Sequence, residues 1–244
     1  MVNIYKDTEA LLTAVADLFV DAAREAIAAR GQFNVALSGG SSPKQLYEKL
    51  ASPAYNWKVD WSRAYFFFGD ERYVPADDPE SNALMVQHAL FGPLNISPEN
   101  IFAVNTTLAP QQAAQEYMQR ILQHFKRQEI RFDLMLLGLG NDAHTASLFP
   151  GTTVLQEQAV DVKAVLLPDQ KTYRLTLTAP LINLSHQIAF LVYGAAKAEA
   201  VRHVLEGERD TSRYPAQLIR PDQGKVDWFL DETAAALLPV KYKA

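Results

Sequence analysis

Cysteine is absent from the 244-residue sequence, and histidine occurs only five times. Without a thiol, the chain offers no disulfide framework, no cysteine nucleophile, no thiolate zinc site and no iron–sulfur ligand. An excess of basic residues is also lacking, because the formal net charge is −5 and the isoelectric point is near 5.6. We therefore expect no nucleic-acid partner, since nucleic-acid binding surfaces are usually basic.

Long apolar runs are missing as well. No run of the sequence approaches the ~18 apolar residues from which a membrane-spanning helix is predicted. The N-terminus lacks a basic region followed by an apolar stretch, so no signal peptide is predicted. We expect no membrane partner and a cytoplasmic location. The hydrophobic fraction of 48% indicates a folded globular protein, and the length suits a single domain over residues 1–244.

Apolar segments that alternate with helical patterns predict the fold. The segments with strand character are Phe33–Leu37, Ala64–Phe68, Phe132–Leu137 and Ile188–Tyr193, with shorter pieces at Val162–Leu167 and Tyr173–Leu177. Helices are predicted up to Gly31, from the segment after Leu37 through Leu50, and at Asn82–Leu90, Pro110–Gln128, Ala195–Leu205 and Asp231–Leu237. Strands that are apolar throughout predict a sheet covered on both faces. The fold class is therefore α/β, a three-layer α/β/α domain with a mainly parallel, Rossmann-like sheet.

Glycines and polar residues follow each of the four best-defined strands. These segments are Ser38-Gly39-Gly40-Ser41, Gly69-Asp70-Glu71-Arg72, Gly138 through His144, and Gly194-Ala195-Ala196-Lys197. The carboxyl ends of parallel strands lie along one edge of a sheet, where ligands bind. We expect these segments to form the active site. Adjacent residues at a strand end point in opposite directions, so at most one of Asp70 and Glu71 faces that site.

The first of these segments has the pattern of an anion site. Gly39 and Gly40 allow a tight turn, Ser42 is predicted to cap the following helix, and Pro43 suits its first position. A helix N-terminus after a glycine turn binds phosphate well, although a plain strand–helix turn is the alternative. The GxxxxGK[ST] spacing of a P-loop is absent.

The third segment carries the candidate general base. His144 lies among small polar residues after a buried strand, and a neutral imidazole can accept a proton from water near pH 7. Asp142 could orient the ring, while a structural loop histidine is the alternative. Residues 138–143 also fit the dinucleotide fingerprint G-x-G-x-x-[GA]. Nicotinamide binding is disfavoured, because Pro150 and Gly151 close the segment before a long helix could form.

Three basic residues complete the predicted site. Arg72 offers a planar fork to a phosphate or a developing oxyanion. Lys197 lies at a helix start, where its charge opposes the helix dipole and so favours an anionic ligand. Arg174 interrupts a strand-like run and is either a third anion contact or an edge-strand charge.

These motifs, taken in order, resemble the 6-phosphogluconolactonase family. The matching segments are Ser38–Pro43, Gly69–Arg72, Asp142–Pro150, Arg174–Thr178 and Gly194–Lys197, and the resemblance extends over about residues 4–236. It implies hydrolysis of 6-phosphoglucono-1,5-lactone in the oxidative pentose phosphate pathway, with a sugar-phosphate lactone as partner and no cofactor or metal. The implied fold is that of glucosamine-6-phosphate deaminase and ribose-5-phosphate isomerase.

The resemblance also assigns roles to residues. It implies that Gly40, Ser41, Arg174 and Lys197 hold the phosphate, with Gly39, Ser42 and Asp70 among the substrate-binding residues. His144 takes a proton from the attacking water, Asp142 assists His144, and Arg72 serves either the phosphate or the oxyanion. The family usually has glycine at the position of Ala143. If that position requires a positive φ, alanine costs about 1 kcal/mol there.

Two other functions remain open. The sugar-phosphate deaminase resembles the chain at the glycine loop, at Asp142-x-His144 and at Lys197, but it has glutamate where this chain has Phe149 and tyrosine where it has Arg72. A sugar-phosphate sensor of the same fold would bind without turnover. The sequence does not determine the oligomeric state, and a monomer is the favoured alternative.

Overall fold

The computed structural model describes residues 1–126, 129–167 and 173–242. The strands are β1 Val2–Tyr5, β2 Phe33–Leu37, β3 Ala64–Phe68, β4 Asp70–Arg72, β5 Leu134–Leu137, β6 Val162–Leu166, β7 Tyr173–Leu177, β8 Gln187–Val192 and β9 Lys225–Asp231. The α-helices are α1 Thr8–Arg30, α2 Ser41–Ala51, α3 Asn82–Val86, α4 Pro110–His124, α5 Ala179–Ile182 and α6 Ala198–Glu206. Within the described ranges, no helix combines the length and apolarity needed to cross a bilayer.

The larger sheet has six parallel strands in the order β1-β9-β8-β5-β2-β3. The four strands whose ends carry glycines and polar residues are therefore neighbours, β8-β5-β2-β3. Their carboxyl ends lie side by side at one edge, which is where ligands bind in open α/β sheets. The predicted mainly parallel α/β fold is confirmed.

Both faces of the larger sheet are covered, as β3 illustrates. Phe66 and Phe68 pack into one core with residues of α1 and α2, whereas Phe67 packs into the other core with residues of α4. These three phenylalanines are at most 1% exposed. Burial on alternate faces explains why the strand is apolar throughout, since each buried aromatic contributes about 1.5–3 kcal/mol.

A second sheet joins the first at Gly69. Its three antiparallel strands run in the order β4-β7-β6. The Gly69 N–H donates to the Leu37 carbonyl at 2.9 Å, and the Gly69 carbonyl accepts from the Leu177 N–H at 2.9 Å. Because β7 is the central strand, Arg174 is not an edge-strand charge, and that alternative is wrong. The second sheet carries Arg72 and Arg174 to the edge where the four parallel strands end.

The C-terminal part of the chain differs from the prediction. The predicted helix at Asp231–Leu237 is wrong: Asp231 ends β9, and residues 232–237 form turns. The Asp231 carboxylate accepts the N–H groups of Ala234 at 2.7 Å and of Gly194 at 3.1 Å, which ties the turn to the end of β8. The helix predicted at Pro110–Gln128 begins as expected and ends at His124, while residues 127–128 lie outside the described residues.

His124 is partly buried beside Asn34, near the amino-terminal end of β2. The His124 ring packs against Phe67 and Phe102, and its Nε2 lies 2.7 Å from the Asn34 Oδ1. Burial, followed by the charge of Lys126, lowers the pKa of His124 to about 4. An unfolded histidine titrates near pH 6.5, so between these pH values only the unfolded chain binds this proton.

This difference predicts a pH-dependent loss of stability. The free energy of unfolding should fall by about 1–2 kcal/mol between pH 6.5 and 4, after allowance for solvent screening. Urea unfolding of wild type and His124→Phe at pH 7 and pH 4.5 measures the effect, because other titrating groups are common to both proteins. Equal pH dependence in the two proteins would show that His124 does not carry it.

Candidate active site

A cavity of about 380 Å³ lies at the carboxyl ends of β2, β3, β5 and β8. The predicted site residues that line it are Gly39, Gly40, Ser41, Ser42, Asp70, Arg72, His144, Arg174 and Lys197. Asp142 is outside the lining and contacts His144. The cavity also includes Asn82, Ser147 and Phe149, none of which was predicted as a site residue. Within the described part of the chain, no group of three or more His, Asp and Glu residues could hold a metal ion.

The helix after the glycine loop begins two residues earlier than predicted. Gly40 is the N-cap, with a φ of 103°, and α2 starts at Ser41. Ser42 therefore occupies the second helical position and makes no capping hydrogen bond, so the predicted Ser42 cap is wrong. Pro43 still costs nothing, because the first N–H groups of a helix have no partner within it. The helix N-terminus, with these N–H groups, lies at the cavity wall, and an anion site of this kind requires that position.

Asn82 packs against the glycine loop and explains why residue 39 is a glycine. Its Nδ2 donates to the Asp70 carbonyl at 3.0 Å. A Cβ atom on residue 39 would lie 1.8 Å from the Asn82 Oδ1, so a larger residue would displace one side of the cavity. Ser81 and the residues after it carry a helix-start signal, since the Ser81 Oγ accepts the Leu84 N–H at 3.2 Å. That local signal predicts a helix start, but it does not reveal that α3 begins beside the glycine loop after β2.

Only one of the adjacent acids Asp70 and Glu71 faces the cavity, as strand geometry requires. Asp70 lines the cavity, whereas Glu71 is 2% exposed. The Glu71 carboxylate accepts the N–H of Asn82 at 2.7 Å and that of Ala83 at 2.8 Å. Burial raises the pKa of Glu71 despite these hydrogen bonds. Glu71 thus anchors the start of α3 and leaves Asp70 as the acid that faces the site.

Two arginines face each other across the second sheet. Arg72 and Arg174 are directly opposed in the antiparallel pairing of β4 and β7, and both line the cavity. Arg72 Nη1 donates to the Glu80 carbonyl at 2.8 Å. Burial, followed by the charge of Arg72, lowers the pKa of Arg174. Like charges opposed across strands are destabilising, and an anion bound by both guanidinium groups would remove that repulsion.

Lys197 brings a third positive charge to the cavity. It is the N-cap residue of α6, where its charge opposes the helix dipole. Burial lowers the pKa of Lys197, and the charge of Asp142 acts in the opposite direction. Although the chain has a net charge of −5, the cavity therefore gathers three cationic side chains around one space.

His144 is held through one ring nitrogen. Its Nδ1 lies 2.5 Å from the Asp142 Oδ1, and its backbone N–H donates to the same oxygen at 3.3 Å. Partial burial alone would raise the pKa of Asp142, but the hydrogen bond and charge of His144 outweigh burial and lower it. Because a carboxylate accepts from Nδ1–H, the Nε2 of a neutral ring is the nitrogen able to accept a proton.

The turn before His144 has a left-handed residue at its centre. Ala143 has a φ of 63° and is 1% exposed. Its N–H donates to the Gly140 carbonyl at 3.0 Å, and its carbonyl accepts the Ala216 N–H at 3.0 Å. Alanine therefore adopts the conformation that glycine favours, and the contact between Asp142 and His144 is formed. The fingerprint at residues 138–143 opens no helix, since the chain continues in turns.

A bulkier residue at this turn should destabilise the protein. Ala143→Val is expected to lower the free energy of unfolding by about 2–4 kcal/mol, because a β-branched residue strains a positive φ and overpacks a buried site. Ala143→Gly, the matched control, should stay within about 1 kcal/mol of wild type, since relieved strain offsets lost burial and added chain entropy. Urea denaturation measures both values. A valine variant as stable as wild type would contradict a left-handed residue 143.

Ser147 and Phe149, which follow His144 in the chain, link its loop to the surrounding structure. Ser147 Oγ donates to the Asp70 Oδ2 at 2.7 Å, and the Ser147 N–H donates to the Thr176 Oγ1 at 3.2 Å. The Phe149 ring stacks on His144, with ring centroids 4.0 Å apart. The positions of Ser147 and Phe149 in the motif next to His144 were the available signal, but neither residue type by itself indicates a functional site.

Comparisons with known proteins give a consistent family. The family model described as glucosamine-6-phosphate isomerases/6-phosphogluconolactonase matches residues 6–228. The 6-phosphogluconolactonase of Nostoc sp. is 40% identical over 243 residues, covering 98% of each chain. The human 6-phosphogluconolactonase is 34% identical over 247 residues, covering 100% of this chain and 95% of its own.

Solved structures agree with these sequence relatives. The structure of 6-phosphogluconolactonase from Trypanosoma brucei matches with a TM-score of 0.83 at 26% identity, covering 98% of both chains. The 6-phosphogluconolactonase from Thermotoga maritima matches with a TM-score of 0.81 at 28% identity, covering 95% of this chain and 99% of that one.

Proposed function

The chain belongs to the family of glucosamine-6-phosphate isomerases and 6-phosphogluconolactonases, and we propose that it hydrolyses 6-phosphoglucono-1,5-lactone to 6-phosphogluconate. This reaction is the second step of the oxidative pentose phosphate pathway. The chain covers nearly the full length of relatives that bear the 6-phosphogluconolactonase name, which supports the same activity here.

The observation that carries the proposal is the opposed pair of arginines in the cavity. Arg72 and Arg174 face each other across β4 and β7, with Lys197 on the same cavity. A phosphate group carries up to two negative charges and planar guanidinium groups bind it well, so this cationic cavity suits a phosphorylated substrate. Arg174 and Lys197 hold the 6-phosphate together with the N–H groups of Gly40 and Ser41. Arg72 completes the phosphate site or reaches the developing oxyanion.

The chemical step is general-base hydrolysis of the ester. His144 Nε2 takes a proton from water while the water oxygen bonds to C1 of the lactone. The tetrahedral intermediate then expels the ring oxygen, which receives the proton from the imidazolium. Asp142 holds Nδ1 and stabilises the positive ring. The lactone is intrinsically reactive, so general-base help of about 10²–10⁴-fold together with positioning is sufficient.

Phe149 favours the lactonase over the deaminase. The sequence resemblance implies that the deaminase carries a glutamate at this position to assist in ring opening. Here the position holds an apolar ring stacked on the imidazole at 4.0 Å between centroids. A phenylalanine can neither donate nor accept a proton, so it cannot assist ring opening as that glutamate would.

A short coupled assay tests the proposal. Glucose 6-phosphate dehydrogenase generates the lactone in place, and the disappearance of the lactone is followed with and without the protein. We expect faster disappearance with the protein and a much smaller effect on unphosphorylated glucono-1,5-lactone. Ammonia release from glucosamine 6-phosphate would indicate the deaminase instead. Binding of 6-phosphogluconate without turnover of the lactone would indicate a sensor.

We propose that the protein is active as a monomer, the state favoured above. Sedimentation velocity at assay concentration is expected to give a species of about 27.2 kDa. A dimer that loses activity on dilution would contradict this part of the proposal.

A further inference from the structure

The His144 ring is enclosed on more than one side. Asp142 holds Nδ1 at 2.5 Å. A Cβ atom on residue 140 would lie 2.1 Å from Nδ1 and 2.3 Å from Cε1, so the backbone of Gly140 closes that edge of the ring. The remaining large contact is with Phe149, whose ring centroid is 4.0 Å from that of His144 at an interplanar angle of 28°.

Phe149 is itself fixed in place. Its carbonyl accepts the Thr152 Oγ1–H at 2.6 Å and the Thr152 N–H at 3.3 Å. Its ring packs at the border of the core that lies on the α4 side of the larger sheet. A held aromatic ring can restrict rotation of an imidazole stacked on it. It also attracts a positive ring, because the face of an aromatic system is electron-rich.

We propose that Phe149 is a positioning residue for proton transfer at His144. Its ring keeps the imidazole oriented with Nε2 available to the cavity, and it stabilises the imidazolium that forms when Nε2 accepts a proton from water. Gly140 and Asp142 set the position of the opposite edge. This role rests on the proposed function, since it concerns the general base of that reaction.

Replacing the aromatic ring tests the proposal. Phe149→Leu should lower kcat by about 5–20-fold, with KM within about twofold of wild type. The acidic limb of the kcat–pH profile should move to lower pH, because an imidazolium without the aromatic face is less stable. Asp142 contacts Nδ1, and the charged residues Asp70, Arg72, Arg174 and Lys197 line the same cavity; all of them are unchanged in this variant. Phe149→Tyr should keep most of the wild-type kcat, because it retains an aromatic ring.

A measurement on the wild-type protein is independent of any folding defect. In NMR spectra, the imidazole protons of His144 should be shifted upfield by the ring current of Phe149, and Phe149→Leu or the smaller change Phe149→Met should remove that shift. Absence of the upfield shift would overturn the proposal.

The kinetic outcomes are also decisive. A leucine variant with wild-type kcat would overturn the role of Phe149, as would a loss of stability with an unmoved pH profile. Both results require a wild-type protein that hydrolyses the lactone. A wild type without turnover would instead contradict the proposed function, whatever the spectra show.

Discussion

Replacing His144 with alanine is expected to lower kcat by about 10²–10⁴-fold, the range that general-base catalysis supplies. The ring lines the cavity and is held at Nδ1 by Asp142, so its removal takes away the proton acceptor and leaves the other lining residues unchanged. Steady-state turnover of freshly generated lactone measures the loss. Spontaneous hydrolysis must be subtracted at each concentration.

A binding experiment separates catalysis from structure. Calorimetric titration with 6-phosphogluconate should give nearly the same affinity for His144→Ala and for wild type, because the proposed phosphate-binding residues lie on other elements. Asp142→Asn is a matched variant that keeps the hydrogen-bonding shape and removes the charge, and its kcat should lie between the other two. Wild-type turnover by the alanine variant would eliminate His144 as the general base.

Replacing Lys197 with alanine is expected to raise KM for the phosphorylated lactone by about 10–100-fold with little change in kcat. A charge-assisted contact with phosphate contributes about 1.5–3 kcal/mol, and it is equal in the ground and transition states. Lys44→Ala is the control, since this lysine is half-exposed on α2, pairs with Glu48 at 3.7 Å and does not line the cavity.

The unphosphorylated lactone provides the sharper comparison. If Lys197 binds the 6-phosphate, its replacement should leave the weak reaction with glucono-1,5-lactone unchanged. An equal loss for both lactones would place Lys197 at the reacting carbonyl. An unchanged KM for the phosphorylated lactone would move the phosphate to another part of the cavity.

The main features of the site were predictable because they depend on strand ends. Four buried runs ending in glycine and polar residues predicted a shared edge, and β8-β5-β2-β3 are adjacent in the sheet. Period-two geometry also predicted that only one of Asp70 and Glu71 faces the cavity. Such inferences need only local pattern and the general rule for parallel sheets.

Two of the three features that were missed depend on contacts distant in sequence. Asn82 reaches the glycine loop because Glu71, eleven residues earlier, binds the backbone at the start of α3. The alanines after Asp231 suit a helix, yet its carboxylate binds Ala234 and Gly194 and the chain forms only turns. Ser42 resembled a cap, but Gly40 already provides the required backbone conformation. Contacts outside the local segment decide the first two cases against local propensity, whereas the backbone of the glycine loop itself decides the third.

The orientation of the substrate is the central claim, and a crystal structure with 6-phosphogluconate tests it most directly. We expect phosphate oxygens within about 2.7–3.2 Å of Arg174 and Lys197, and the C1 carboxylate beside His144 Nε2. A product bound with its carboxylate on the arginines and its phosphate beside His144 would contradict the account, as would binding outside the cavity.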